Sequence, residues 1–304
     1  METESRFTKI AHDISLYFRI FISNKMHLVG LVIILFFLAD TAILQFSPWL
    51  VGVSNPNTLS TDYNFNVGLV PPSAAYPFGT TYLGINLLTA VLKAIRIDVL
   101  YAIPVVILAA LLGTFVGMIA AYFGGIFDEI LMRLTDVFFS IPYIVLVIAL
   151  GAAISRNFTV ISLSLVIAFF PLYAKYARSS TLIIKNSNMV LSSKSIGSSN
   201  ARTLIYHVFP NVISSSISQF ALTFGLVIGA FATIAFIGLA PNGNVPELGY
   251  LTSFGLQYIQ IAPWAVLIPS LFIVLLAISL NLIGDGMIDM LDPYTVSVWK
   301  RKNY

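Results

Sequence analysis

The chain has 304 residues, of which 58% are apolar and 10% charged, with a net charge of +3 and a mean hydropathy of +0.91. A water-soluble domain of this length carries about 25% charged residues, so the solvent of much of this surface must be lipid. There is no cysteine, which excludes disulfides, thiolate metal sites and cysteine nucleophiles. The three histidines, His12, His27 and His207, have no second ligand at metal-binding helical spacing, so no zinc site is expected.

Residues 1–26 form a leader in which Phe7, Ile10, Ile14, Tyr17 (or Phe18) and Phe21 recur at helical spacing, with Lys9, Asp13 and Arg19 between them. That pattern predicts an amphipathic helix in the membrane interface, against the plainer alternative of a solvated tail. The first apolar run, 27–50, is too long for the core of a cleaved signal and lies behind this leader, so it reads as a retained span. Asp40 falls inside it. A carboxylate at mid-bilayer costs about 2.5–3.5 kcal/mol on insertion scales. Asp40 is therefore either a pathway or inter-subunit residue, or one made harmless by protonation or by nearness to the interface. Residues 51–93 are rich in Pro, Asn, Ser and Thr and read as an irregular cap.

Five further apolar runs follow, at 97–123, 136–154, 158–177, 208–239 and 262–284. A bilayer core of about 30 Å needs roughly 20 helical residues, and these uniformly apolar runs lack the alternation of barrel strands. The class is all-α integral membrane with six transmembrane helices. Pro104, Pro142, Pro171 and Pro269 lie within spans and mark kinks. With the N-terminus in the cytoplasm, thirteen of the sixteen Lys and Arg fall in inside segments and only Lys93, Arg96 and Arg156 outside. Positive-inside asymmetry thus predicts both termini cytoplasmic, with an internal loop at 178–207 and a cytoplasmic tail at 294–304.

No catalytic constellation appears. The sequence contains no Gly-Lys dipeptide, so a phosphate-cradling G-x-x-x-x-G-K-[ST] loop is excluded. Gly249-Tyr250 lies in Glu-Leu-Gly-Tyr-Leu, which does not fit a potassium-filter pattern. No enzyme activity, bound cofactor or nucleic-acid partner is expected of this chain.

The internal segment 188–211 reads Asn-Met-Val-Leu-Ser-Ser-Lys-Ser-Ile-Gly-Ser-Ser-Asn-Ala-Arg-Thr-Leu-Ile-Tyr-His-Val-Phe-Pro-Asn. It resembles the coupling loop of binding-protein-dependent ABC importer permeases, whose pattern is Glu-Ala-Ala, a Gly four residues on, and Leu-Pro thirteen residues after that. Ser192 and Ser193 stand at the Ala positions, Gly197 at the Gly, and Phe209-Pro210 at Leu-Pro, whereas Leu191 replaces the usual Glu. Small residues at 192, 193 and 195 would let a short helix approach a partner closely. Gly197 would permit a left-handed turn, and Pro210 would open the fifth span. The set Leu191, Ser192, Ser193, Lys194, Ser195, Ile196, Gly197, Ser198 and Pro210 is the expected coupling site.

The resemblance extends from about residue 76 to 293. Tyr76-Pro77-Phe78-Gly79-Thr80 with Leu83-Gly84 is similar to the His-Pro-Phe-Gly-Thr-Asp-x-x-Gly-Arg-Asp motif of the dipeptide, oligopeptide and nickel branch, with Ile85 and Asn86 replacing its Arg-Asp. Ala121-Tyr122-Phe123-Gly124-Gly125 with Asp128, Met132-Arg133 and Asp136 fits the turn into the third span. Ala262-Pro263-Trp264 and Gly284-Asp285-Gly286 through Asp289 and Leu291-Asp292-Pro293 fit the sixth. The order of motifs is that of the C-type permease of the branch.

The resemblance implies a type I ABC importer permease (MetI-like) fold, with a core over 94–293. It implies a second, B-type permease, two ABC ATPases that bind the ATP and magnesium, and an extracellular solute-binding protein. Peptides are the implied solute, with oligosaccharides and nickel as variants. A secondary transporter or channel is the rival of another class, but such chains carry repeats or several intramembrane charges, and no repeat is visible here. Asp285 and Asp289 lie at the end of the sixth span, where a helix C-terminus disfavours anions. They need a basic partner, and Arg133 is the expected one.

Overall fold

A computed structural model describes residues 16–155, 157–239, 245–291 and 296–297. Among them the regular structure is helical, apart from one isolated bridge between Thr80 and Asn86. Helix α1 covers 16–23. It buries Leu16, Ile20 and Phe21 and exposes Tyr17 and Phe18, so its inner face is displaced from the stripe expected through Tyr17 or Phe18. The remaining leader positions, through Ile14, lie outside the described residues.

Asn24 separates α1 from α2 (Lys25–Phe46) and caps it, its side chain accepting from the Met26 amide. Helix α2 stops short of residue 50 because Ser47 precedes Pro48, and a residue before proline is pushed out of the helical region. Helix α3 (Leu87–Phe123) starts ten residues earlier than expected. Its extra turns carry Lys93 and Arg96, which are buried but satisfied by the cap. The Lys93 ammonium donates to the Thr58 carbonyl at 3.1 Å and pairs with Asp62. The Arg96 guanidinium donates to Gln45 Oε1 at 3.0 Å and Asn57 Oδ1 at 3.0 Å. Ile85 is buried in the core, and Asn86 accepts from the Leu88 amide to cap α3.

The expected span 136–154 is two helices, α4 (Gly125–Ser140) and α5 (Tyr143–Ala153), bent by 88°. Ile141 and Pro142 both take extended backbone between them, as a proline and its predecessor favour. Helix α6 (Phe158–Ile184) begins at Asn157, whose side chain accepts from the Val160 amide at 2.8 Å. It runs seven residues past the expected end. Then come the short α7 (Asn188–Ser195) and α8 (Asn200–Thr203), α9 (Phe209–Phe236), α10 (Leu248–Leu256) and α11 (Trp264–Leu291).

Four helices, α2, α3, α6 and α11, are long and apolar enough to cross a membrane, and the bent α4–α5 pair makes five. The fifth expected span, 208–239, corresponds to α9, whose apolar stretch Leu222–Phe236 is shorter than a span among the described residues.

One core runs through α2, α3, α6, α9, α10 and α11. The broadest contact joins α3 to α6. There Gly113 and Gly117 lie against the α6 backbone: a Cβ at 113 would fall 2.3 Å from the Phe170 carbonyl oxygen, and one at 117 would fall 2.0 Å from that of Ala174. Glycine four residues apart lets two helices touch backbone to backbone, a packing mode of membrane helices. Outside this core, large apolar side chains are exposed along α2 and α11, Leu35, Phe36, Leu267, Leu271 and Val274 among them. Such faces suit lipid and not water.

Candidate coupling surface

A second, smaller core of Met118, Tyr122, Ala177, Val190, Leu204, Val208 and Val212 lies where the ends of α3 and α6 meet the 188–212 segment. It fixes α7 against the helices behind it. Val190 and Ser193 are the buried residues of α7. Three polar contacts add to this anchoring. The Tyr122 hydroxyl donates to Asn200 Oδ1 at 3.0 Å, the Lys185 ammonium donates to the Ala121 carbonyl at 2.7 Å, and the Lys194 ammonium lies 4.8 Å from the Tyr122 ring centroid. Helix α7 is thereby packed against the ends of α3, α6 and α9.

The turn after α7 has the geometry its glycine demands. Gly197 has φ of +82°, its amide donates to the Lys194 carbonyl at 2.9 Å, and the Ser198 amide reaches back to the Ser193 carbonyl at 3.2 Å. These two bonds satisfy carbonyls that a helix end leaves open, in the Schellman arrangement. No atom lies within 4 Å of where a Cβ at Gly197 would sit. The glycine is thus required by backbone conformation and not by space.

The expected contact residues divide. Leu191, Ser192, Lys194, Ser195, Ile196 and Gly197 are exposed, Ile196 at 83%. Ser193 is buried at 5%, with no hydrogen-bond partner for its hydroxyl. Of the small residues 192, 193 and 195, Ser193 thus lies on the inner side of α7 and only Ser192 and Ser195 are exposed. An eight-residue helix presents only one face, and Ser193 belongs to the inner one. The outer face borders a groove of about 520 Å³ lined by Met189, Ser192, Ser193, Ile196, Gly197, Ser198, Arg202 and His207. Leu191 presents an exposed apolar side chain where the family pattern has Glu.

Pro210 lies in the first turn of α9, as expected of a residue opening that span, but no loop precedes it. The chain is already helical from Asn200, and a wide π-type turn over Leu204–Val208 leads into α9. Proline lacks the N–H needed to continue regular pairing, and Asn211 Nδ2 donates to the His207 carbonyl at 2.7 Å beside it.

The charged candidates are also rearranged. Arg133 is exposed and lies 3.9 Å from Glu129 on its own helix, so the expected pairing with Asp285 is replaced by an i,i+4 contact. Asp285 is exposed and makes no ion pair among the described residues. Asp289 lies 3.7 Å from His27 Nε2, which ties the end of α11 to the start of α2. Asp40 is buried at 9% on α2, and its Oδ2 has no partner.

Several contacts were not anticipated. Arg178 binds Asp128 in a bidentate fork at 2.7 Å on both arms, and Lys175 lies 3.0 Å from Asp136, so α4 is held to α6 by charge. The Gly113–Gly117 spacing was readable in the sequence as a small-residue helix contact. The ion pairs had no local signal, since their partners are about 40 to 50 residues apart. Facing α3 and α9, with Met287 from α11, is an apolar groove of about 250 Å³ lined by Ile107, Leu111, Thr114, Phe209, Ser216 and Phe220.

This chain belongs to the family of binding-protein-dependent transport system inner membrane components, whose profile matches residues 113–296. It is a multi-pass membrane protein of that class. Among its relatives, the dipeptide transport system permease protein DppC of Alkalihalophilus pseudofirmus is 33% identical over 89% of this chain and 86% of that one. The probable D,D-dipeptide transport system permease protein DdpC of Escherichia coli is 34% identical over 82% of each. The glutathione transport system permease protein GsiD of Pectobacterium atrosepticum is 32% identical over 85% of each. In fold, a chain of the inward-facing MetNI methionine ABC transporter superposes with a TM-score of 0.56, covering 68% of this chain and 98% of that one at 15% identity. The chain therefore has the MetI-like permease fold, and at that identity the likeness speaks to fold alone.

Proposed function

We propose that this chain is one of two permease subunits of an ATP-driven importer for di- or oligopeptides, taking its solute from an extracellular binding protein. Its relatives are named for dipeptide, peptide and glutathione transport, which supports a peptide solute. ATP hydrolysis belongs to partner subunits docked on the 188–198 surface. ATP-driven closure of those partners moves α7, and the anchoring of α7 to Tyr122, Val190 and Val208 carries the motion into α3, α6 and α9. The α3–α9 groove lies between two of the helices so moved. The orientation puts both termini and α7 in the cytoplasm and the 51–93 cap outside.

The observation that carries the reading is α7 itself: a short helix ended by a left-handed glycine, anchored on its inner face and exposed on its outer one. The test is uptake of a labelled dipeptide by proteoliposomes holding the whole complex and its binding protein. Uptake is expected with enclosed ATP and not with an ion gradient alone. Uptake driven by the gradient without ATP would overturn the reading.

A further inference from the structure

Asp98 on α3 and Glu247 at the start of α10 are 3% and 1% exposed. Neither belongs to the coupling surface. Their carboxyls come within hydrogen-bonding reach of each other. One oxygen of each is already engaged: Asp98 Oδ2 accepts from the Leu248 amide at 3.3 Å, and Glu247 Oε2 accepts from the Tyr250 amide at 2.6 Å. The remaining oxygens, Asp98 Oδ1 and Glu247 Oε1, are sealed from solvent and receive no N–H or hydroxyl hydrogen.

The surroundings supply no counter-charge. On α3 the nearby cations are committed elsewhere, Lys93 to Asp62 and Thr58, Arg96 to Gln45 and Asn57. Over Leu222–Phe236, α9 has no ionisable residue, and the only ones on α11 are Asp285 and Asp289 at its far end. The cap brings a tyrosine, Tyr63, near Tyr250 and no cation. A bridging metal ion would need more oxygens, and no cluster of three His, Cys, Asp or Glu occurs among the described residues. Two carboxylates cannot both ionise in contact in a dry site, whereas one proton between them satisfies both free oxygens.

We propose that Asp98 and Glu247 form a buried proton-binding site whose single shared proton latches α10 onto α3. The latch adds to the Leu248 amide–Asp98 hydrogen bond, the polar tie that the first turn of α10 makes to α3. Its backbone is otherwise pressed on α9 and α11, where a Cβ at Gly249 would fall 2.1 Å from the Ala232 carbonyl oxygen and one at Gly255 2.4 Å from that of Ala265. Burial also pushes the Glu247 carboxyl up to about 7 from its ordinary 4.5. The sign follows from linkage. A raised value means the folded state holds its proton more tightly, so the latch contributes fully below about 4.5 and is lost as pH rises through about 7. Any opening that wets the pair releases a proton.

The test uses the full chain in lipid nanodiscs, with Asp40→Asn as background so that the other buried carboxyl does not contribute. The infrared C=O stretch of a protonated carboxyl is followed against pH, together with the melting temperature. In this background the band should persist at neutral pH and vanish on alkalinisation as the melting temperature falls. In Glu247→Gln the amide donates to an ionised Asp98, so the band and the pH dependence should both be lost and alkaline stability retained. Asp98→Asn should behave alike. Bands and melting curves unchanged by either amide variant would overturn the proposal. If neither variant assembles, the background titration decides: no protonated-carboxyl band at neutral pH would overturn it equally.

Discussion

Replacing Gly117 by Ala is the most economical test of the α3–α6 packing. The added Cβ would sit 2.0 Å from the Ala174 carbonyl oxygen and 2.9 Å from the Arg178 amide nitrogen. Both are backbone atoms, so no side chain can swing aside. The helices must separate, and Gly113, one turn away and just as close to α6, must lose contact with them. Overpacking of this kind costs about 1–3 kcal/mol. It works against the ordinary gain of about 1 kcal/mol from Gly→Ala in a helix. Gly151 on α5 is the control, because nothing lies within 4 Å of its Cβ position. Thermal melting of the purified protein in detergent should show Gly117→Ala melting well below wild type and Gly151→Ala at or above it. Equal melting temperatures for the two variants would refute the backbone-contact reasoning.

Asp62→Asn should be strongly destabilising, by about 3–5 kcal/mol, because it strands the fully buried Lys93 ammonium; limited proteolysis should then cut the cap, and adding Lys93→Met should restore much of the loss. Ser193→Trp should lower thermal stability and not simply block docking, since Ser193 is buried beside Val190 on the inner side of α7; a normal melt with lost ATPase binding would contradict the assigned face. Cysteines at exposed Ser60 and Ser195, clean probes in a cysteine-free chain, should be labelled by an impermeant reagent in intact cells only at Ser60; labelling at Ser195 would invert the orientation.

Composition and the length of the apolar runs made the membrane-helical class legible, because lipid leaves no other solvent for such a surface. Boundaries failed where tertiary partners override local polarity. Lys93 and Arg96 read as loop residues, yet they lie buried in α3 because Asp62, Thr58, Gln45 and Asn57 complete them from the cap. Pro142 read as a kink, but with Ile141 it turns the chain through 88°. Gly197 was legible because a left-handed turn leaves few other residues. The burial of Ser193 was not, since a small polar residue on an eight-residue helix does not declare its face. Asp285 was matched to Arg133 on charge alone, whereas the structure gives Arg133 a neighbour on its own helix and gives His27 to Asp289. The Asp98–Glu247 pair spans 149 positions, and no local pattern connects them.

The proposed transmitter of ATP-driven motion is α7. Gly197→Val probes it without filling any space, since the only penalty is a left-handed β-branched residue, about 1–2 kcal/mol. Ile196→Glu probes the exposed face directly. The measurement is ATP turnover by the reconstituted complex, with and without solute-loaded binding protein. Both variants should fold, yet lose the stimulation by loaded binding protein or shed the ATPase subunits, while solute binding by that protein is unchanged. Full stimulation in both would contradict the account and leave 188–198 as a plain connector.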